Sequence, residues 1–303
     1  MKVPGLDSLP GEPGGYRWYY ADVTAGTLHA VAIFLVGSIF SPRYSVAARR
    51  GGKATAHCAV NFALYEGDVR RAWVLSEYEG CAASDGELRI GRSRVQWHGN
   101  GVRFEVDERT APWGRPVKAV LELTAESPAG EEVQLLRGQP HHWQPLMARA
   151  TATLEVPTHG VSVGGRGYHD TNHGTERLGG GVPGWQWMRA HGPESTVVHY
   201  LLPDGEQLRV VASRTGVSLE RQRADALRQQ RSGWGLDVPN ELPTGEERLP
   251  RAGLLESSPF YARFAAARPG LDVMGESADF RRFHSPLIRW MAHFRTRHEG
   301  STP

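Results

Sequence analysis

Val95-Gln96-Trp97-His98-Gly99-Asn100-Gly101-Val102-Arg103-Phe104-Glu105-Val106 is the stretch from which the fold is read. Asn-Gly supplies the positive φ angles that a tight hairpin turn requires. Successive side chains of a strand point to opposite faces. Val95 and Trp97 on one arm therefore face Val102, Phe104 and Val106 on the other. The same punctuation recurs at Glu66-Gly67-Asp68, Asp85-Gly86 and Pro203-Asp204-Gly205, each time between apolar or alternating runs. Many short strands joined by hairpin turns predict an all-β meander, sandwich or barrel.

Working outward, residues 16–23 read as a first, aromatic strand and 28–40 as a buried apolar one. Between 57 and 65, Cys58, Val60, Phe62 and Leu64 alternate with Ala59, Asn61, Ala63 and Tyr65, a half-buried strand with Asn61 aimed into an interior. Further strands are expected at 117–124, 152–156, 197–202 and 208–212. Residues 218–231 break the pattern; they are polar and helix-permissive, expected as a surface helix or a mobile insertion. Val156-Pro157 reads as a stop, which divides the chain into two β halves, 1–160 and 161–303. Near the end, Ser285 as N-cap and Pro286 at the first helical position predict a helix over 286–297. Leu287, Ile288, Met291 and Phe294 form its apolar stripe. Two roles suit it: closing a barrel flank, or docking on a membrane through Arg281, Arg282, Arg289, Arg295 and Arg297 nearby.

The chain has 303 residues, 40% of them hydrophobic, with 36 glycines and 20 prolines, as expected of a globular, turn-rich protein. A net charge of +2 gives no reason to expect nucleic acid as a partner. Two cysteines, Cys58 and Cys81, suit free thiols in a reducing compartment better than a disulfide framework. The N-terminus lacks the apolar core of a signal peptide, and the longest apolar run falls short of the about 20 residues that span a bilayer. A cytoplasmic protein is expected, either soluble or peripheral to the inner membrane.

Chemistry gathers in Gly-Arg-Gly-Tyr-His-Asp-Thr-Asn-His-Gly, residues 165–174, and Gln-Pro-His-His-Trp-Gln-Pro, residues 139–145. Read as strands, they put Tyr168, Asp170 and Asn172 on one face and pair His141 with Trp143. A metal site is disfavoured, because His169 points away from Asp170 and His142 from His141. There is no Gly-x-Ser-x-Gly elbow, no CxxC or HExxH, and no phosphate loop. Acid–base chemistry remains. A carboxyl group in an aromatic pocket resists ionisation and can donate a proton near neutral pH. Asp170 is that carboxyl, His141 can order it or a water, and Trp143, Tyr168, Trp185 and Trp187 offer electron-rich faces to a cation. On spacing alone, a tight turn at Asp170 and Asn172 with aromatics filling a core fits equally well.

Taken together, these motifs resemble those of the acyclic carotenoid 1,2-hydratases, also called hydroxyneurosporene synthases. The segments that carry the resemblance are 14–22, 36–44, 57–65, 141–145, 167–174, 185–187, 258–263 and 282–289. The resemblance implies a lipocalin-like fold of two barrel-like halves. It implies cofactor-free addition of water to the terminal C1–C2 double bond of an acyclic carotenoid such as lycopene or neurosporene. The family's His-x-Trp and Tyr-x-Asp pairs fall on His141, Trp143, Tyr168 and Asp170, with Asn172, Trp185, Trp187 and Asn61 expected to contact the hydrocarbon. The chain departs from the family at His173, often Trp, and at Tyr19, where Trp-Trp-Tyr is common. Proteins of this fold also include cyclases, so a proton-initiated isoprenoid cyclase or isomerase is the alternative enzyme, and a lipid carrier the non-catalytic one.

Overall fold

The computed structural model describes residues 3–224, 227–241 and 253–300. The hairpin 95–106 forms, with Val95 opposite Phe104 and Trp97 opposite Val102, but its turn is Gly99-Asn100 and the positive φ, 54°, falls on Gly99 rather than on Asn100 or Gly101. It belongs to a sheet built from β1 (Tyr16–Ala25), β2 (Leu28–Val36), β3 (Cys58–Glu66), β4 (Val69–Tyr78), β5 (Ala82–Ser84), β6 (Glu87–Ile90), β7 (Ser93–His98), β8 (Gly101–Arg109), β9 (Pro116–Ala125), β10 (Val133–Gln134), β11 (His141–Val156) and β12 (Val161–Gly174). The strand order is β4-β3-β2-β1-β12-β11-β9-β8-β7-β6-β5. The sheet curls on itself, so that Phe34 of β2 meets Phe104 of β8 with ring centroids 5.6 Å apart. This half-barrel encloses one core of its own, lined by Tyr19, Phe34, Phe62, Trp97, Phe104 and Leu123.

The second sheet holds β13 (Gly184–His191), β14 (Ser195–Leu201), β15 (Glu206–Ser213), β16 (Gly216–Arg223), and, after a small hairpin of β17 (Gln229–Arg231) and β18 (Asp237–Pro239), β19 (Gly253–Ser257), β20 (Tyr261–Arg268) and β21 (Leu271–Asp279). Its order is β16-β15-β14-β13-β21-β20-β19. The short C-terminal β22 (Arg297–His298) returns to pair with β4 of the first sheet. Short helices are α1 (Pro42–Ala48), α2 (Phe280–Phe283) and α3 (Pro286–Arg295). The fold is thus all-β, in two curled, lipocalin-like sheets with a C-terminal helix.

Several expectations change. The division expected at 160 falls in the turn between β11 and β12, which pair with each other along most of their length. The chain passes from the first sheet to the second between Gly174 and Gly184. Residues 216–223 are an edge strand rather than a helix: Val217 and Leu219 pack inward while Ser218 and Glu220 face solvent or its margin. Pairing with β15 overrides the local helix propensity of that polar segment. The apolar run 28–40 ends as strand at Val36, because Gly37 turns at φ 72°. Ser41-Pro42 starts a helix there, Ser41 accepting from the Tyr44 amide. The stripe of α3 divides: Ile288 and Met291 turn inward, whereas Leu287 and Phe294 stay exposed at 63% and 59%.

Two buried polar clamps join the sheets. Arg189 of β13 donates to Asp22 of β1, Nε to Oδ1 at 2.9 Å, with both side chains fully buried. At the other side Glu256 of β19 accepts from Tyr65 at 2.8 Å and Trp73 at 3.2 Å, with Arg263 beside it. Removing one member of such a pair leaves a buried charge alone, at a cost of about 3–5 kcal/mol. The clamps therefore fix how one sheet lies on the other, and a second core fills the space between them.

Candidate active site

Directly opposite residues in antiparallel strands share a face. One such row crosses the first sheet through Pro145, Asp170, Tyr20, Ile33, Asn61 and Leu75. A second row crosses the facing sheet through Tyr200, Trp187, Glu276, Arg263 and Glu256. The site lies between the two rows.

At one end stands Asp170, 3% exposed. Its Oδ2 accepts from the Trp143 indole at 2.8 Å and the Tyr168 hydroxyl at 2.7 Å. Its Oδ1 lies 3.3 Å from the Asn172 amide nitrogen, and Tyr200 donates to the Asn172 carbonyl at 3.3 Å. All these donors favour the carboxylate. Burial outweighs them and, with the negative charges of Glu276 and Asp22 adding to it, pushes the carboxyl up to about 8. Asp170 is thus largely protonated at neutral pH. Tyr20, Tyr168 and Trp187 form an aromatic triangle beside it, with centroids 5.1–6.0 Å apart.

His141 lies two rows along the same face. Tyr16 reaches its Nδ1 by crossing over Gly174, where an added Cβ would stand 2.4 Å from the Tyr16 hydroxyl. The last glycine of the 165–174 motif is needed for that crossing. Burial lowers the imidazole to about 3, so it is neutral, and its Nε2 is buried without a hydrogen-bond partner. His141 does not touch Asp170; Asn172 and Trp143 occupy the row between them. Two irregularities in β11, between Pro145 and Met147 and between Met147 and Ala150, change which side chains face this interior. They turn Met147 and Ala150 into the half-barrel core while His141 and Trp143 keep to the site.

The other end of the row opens into an apolar cavity of about 400 Å³ lined by Ile33, Asn61, Leu75, Tyr261 and Arg263 and roofed by Ile288, Met291 and Ala292 of α3. Asn61 is here, donating to the Val74 carbonyl at 2.6 Å, and is separated from Asp170 by Tyr20 and Ile33. Trp185 stacks near Trp18 and His141 and donates to Glu276 at 3.1 Å. Trp187 packs against Tyr20 and Tyr168. His169 points to the opposite core, where its Nδ1–H donates to the Tyr20 carbonyl and its Nε2 accepts from Trp97. His142 and His173 stack on each other on the same face of the sheet as His169. Among the described residues no three His, Cys, Asp or Glu side chains converge as metal ligands.

The family described as carotenoid hydratase CrtC matches residues 32–301. The chain belongs to the carotenoid hydratase family. Members of this family are hydro-lyases. The acyclic carotenoid 1,2-hydratase of Thiocapsa roseopersicina is 31% identical over 93% of the chain and 73% of its own length. That of Rubrivivax gelatinosus is 31% identical over 89% of the chain and 68% of its own length. Solved structures share this chain's fold at low identity. A protein assigned as AttH from Nitrosomonas europaea has a TM-score of 0.52 at 11% identity, covering 92% of this chain and 96% of its own. CghA with Sch210972 has a TM-score of 0.52 at 13% identity, covering 88% and 89%. The side chains of this site that sequence reasoning missed are Tyr16, Tyr20, Tyr200 and Glu276. The first two carried a signal, since Tyr16, Trp18 and Tyr20 recur at the two-residue period of one strand face. Tyr200 and Glu276 carried none; each enters only through its place opposite Trp187 in the second sheet.

Proposed function

We propose that this chain hydrates the terminal C1–C2 double bond of an acyclic carotenoid of the lycopene or neurosporene type. The observation that carries the reading is a protonated carboxyl buried in an aromatic box. Oδ2 of Asp170 already accepts two hydrogen bonds, so the proton belongs on Oδ1. Asp170 gives that proton to C2, and the π electrons form the new C–H bond. The positive charge falls on the tertiary C1, where the faces of Trp143, Tyr168 and Trp187 stabilise it. A water held at His141 adds to C1, and its surplus proton restores Asp170. Atoms balance with one water consumed, and side chains alone perform each step.

The apolar cavity under α3 suits the rest of the hydrocarbon. The outer face of α3 suits a bilayer: Leu287, Trp290 and Phe294 are exposed, Trp234 is exposed beside them, and Arg281, Arg289 and Arg295 flank the patch. Among the described residues no helix is long and apolar enough to cross a membrane. We place the protein on anionic membranes, drawing substrate through the mouth that α3 covers. Replacing Leu287, Trp290 and Phe294 together by Ser should abolish flotation with anionic vesicles; undiminished flotation refutes the docking.

Incubation with lycopene or neurosporene in detergent, in ordinary and heavy-oxygen water, tests the reaction. A product heavier by one water, carrying the solvent oxygen, is expected. A product of unchanged mass means cyclisation or isomerisation instead.

A further inference from the structure

The cavity for hydrocarbon and the unpartnered nitrogen of His141 lie on different sides of the polar cluster. The cavity opens under α3, past β2, β3 and β4, and its lining is mostly apolar, with Asn61, Glu256 and Arg263 among its polar groups. Behind His141 is a separate crevice of about 10 Å³, room for about one water. Polar groups line it: Tyr16, Gln139, His141, Glu176 and Arg177. Glu176 and Gly180 of the same loop are exposed, so the crevice leads from solvent. Gln139 lies across Gly181, where an added Cβ would stand 1.5 Å from its Oε1. A second crevice, of about 30 Å³, shares Tyr16, Arg177 and Leu178 with the first. None of these three residues lines the hydrocarbon cavity.

We infer that water reaches the reacting carbon by its own route, past Glu176 and Arg177 to His141, and not through the mouth under α3. The inference rests on the hydration reaction proposed above. With Nδ1–H donating to the Tyr16 oxygen, Nε2 keeps its lone pair and accepts an O–H from the arriving water. The water oxygen then faces the cation, and the bond it forms is C1–O. Separate routes have a chemical use. A hydrocarbon filling the mouth would otherwise block the second reactant, and bulk water arriving with it would solvate the carboxylate and leave the carboxyl ionised, with no proton to give, at neutral pH.

A blocked water route should trap the cation without its nucleophile. The cation then loses a proton from carbon, and the alkene returns. In heavy-hydrogen water, the acid delivers deuterium, so returned alkene carries label. Gly181→Val, which drives Gln139 into the crevice, should cut hydrated product at least tenfold while labelled alkene persists or rises. Gln139→Phe fills the crevice from the other wall and should do the same, which covers a failure of the first variant to fold. Ala292→Trp, under α3, should lower hydration and labelling together. Hydration unchanged in both crevice variants, or hydration and labelling falling in parallel in them, overturns the separate route. Absence of both hydration and labelling in the unaltered protein would instead strike the hydration reading itself.

Discussion

Tyr20 stands directly opposite Asp170 on the neighbouring strand, and its own other neighbour in the row is Ile33, which lines the cavity. Strands in a sheet lie about 4.8 Å apart, so one side chain separates the acid from the space that can take a hydrocarbon. The Tyr20 hydroxyl donates to Asp22 at 3.0 Å and so points along its strand, away from Asp170. Its ring meets Trp187 across the interface at 5.5 Å and closes the slot between the two rows. In the reaction we propose, a linear polyene must pass this contact to reach the carboxyl.

Enlarging that ring should obstruct the passage. Tyr20→Trp is expected to lower turnover at least tenfold while carotenoid uptake into the cavity, followed by its absorbance shift, stays near that of the parent. Tyr20→Phe frees the ring from Asp22 and should keep turnover. Equal turnover in the Trp variant would mean that the hydrocarbon takes another path.

The pH dependence follows from burial. In the reaction we propose, the active form of Asp170 is the acid, held up to about 8. Turnover should be level near neutrality and fall above pH about 8, tenfold per unit. His141, lowered to about 3, is already neutral across that range and adds no acidic limb above pH about 4. A rate that climbs through pH 7 to 9 would assign Asp170 the role of base.

A carboxyl with a raised folded-state value also costs stability. At pH below 3.8 both states are protonated and no cost arises. As pH rises toward 8 the unfolded chain ionises while the folded one does not, so stability falls across that window and is level above it. Asp170→Asn removes the titration and keeps an acceptor for Trp143 and Tyr168. Its advantage over the parent in urea unfolding should grow from pH 4 to pH 8, reaching a few kcal/mol. An advantage that does not change with pH would show Asp170 to be ordinarily acidic.

Trp143 and Tyr168 both stabilise the ionised carboxyl through Oδ2. A hydrogen bond to a charged group contributes about 1.5–3 kcal/mol, or about one to two pKa units. Trp143→Phe and Tyr168→Phe should each move the alkaline limb upward by about one unit and lower the plateau rate, since the acid becomes weaker. A limb that stays in place would remove these two side chains from control of the proton.

Much of the fold was legible because it is written in period two. The hairpin over 95–106, though it turns at Gly99-Asn100, and the alternation from Cys58 to Tyr65 need no tertiary information. The shared face of Tyr168, Asp170 and Asn172 was legible for the same reason, as was the turn of His169 to the opposite face, which is the half-barrel core. What was not legible depends on contacts distant in sequence. Residues 216–223 look helical until β15 offers a partner edge. The irregularities in β11 leave no local mark beyond Pro145, yet they decide which of its side chains reach the site. Asn61 was rightly aimed inward, but only the cross-strand register shows that Tyr20 and Ile33 separate it from Asp170.

The central claim is that Asp170 hands its proton to carbon. Its most direct measurement is oxygen incorporation from heavy-oxygen water by Asp170→Asn, alongside carotenoid binding by the same preparation. We predict unchanged binding with incorporation reduced at least about a hundredfold, the span expected of a lost general acid. Incorporation close to that of the parent protein, with binding intact, would contradict the account.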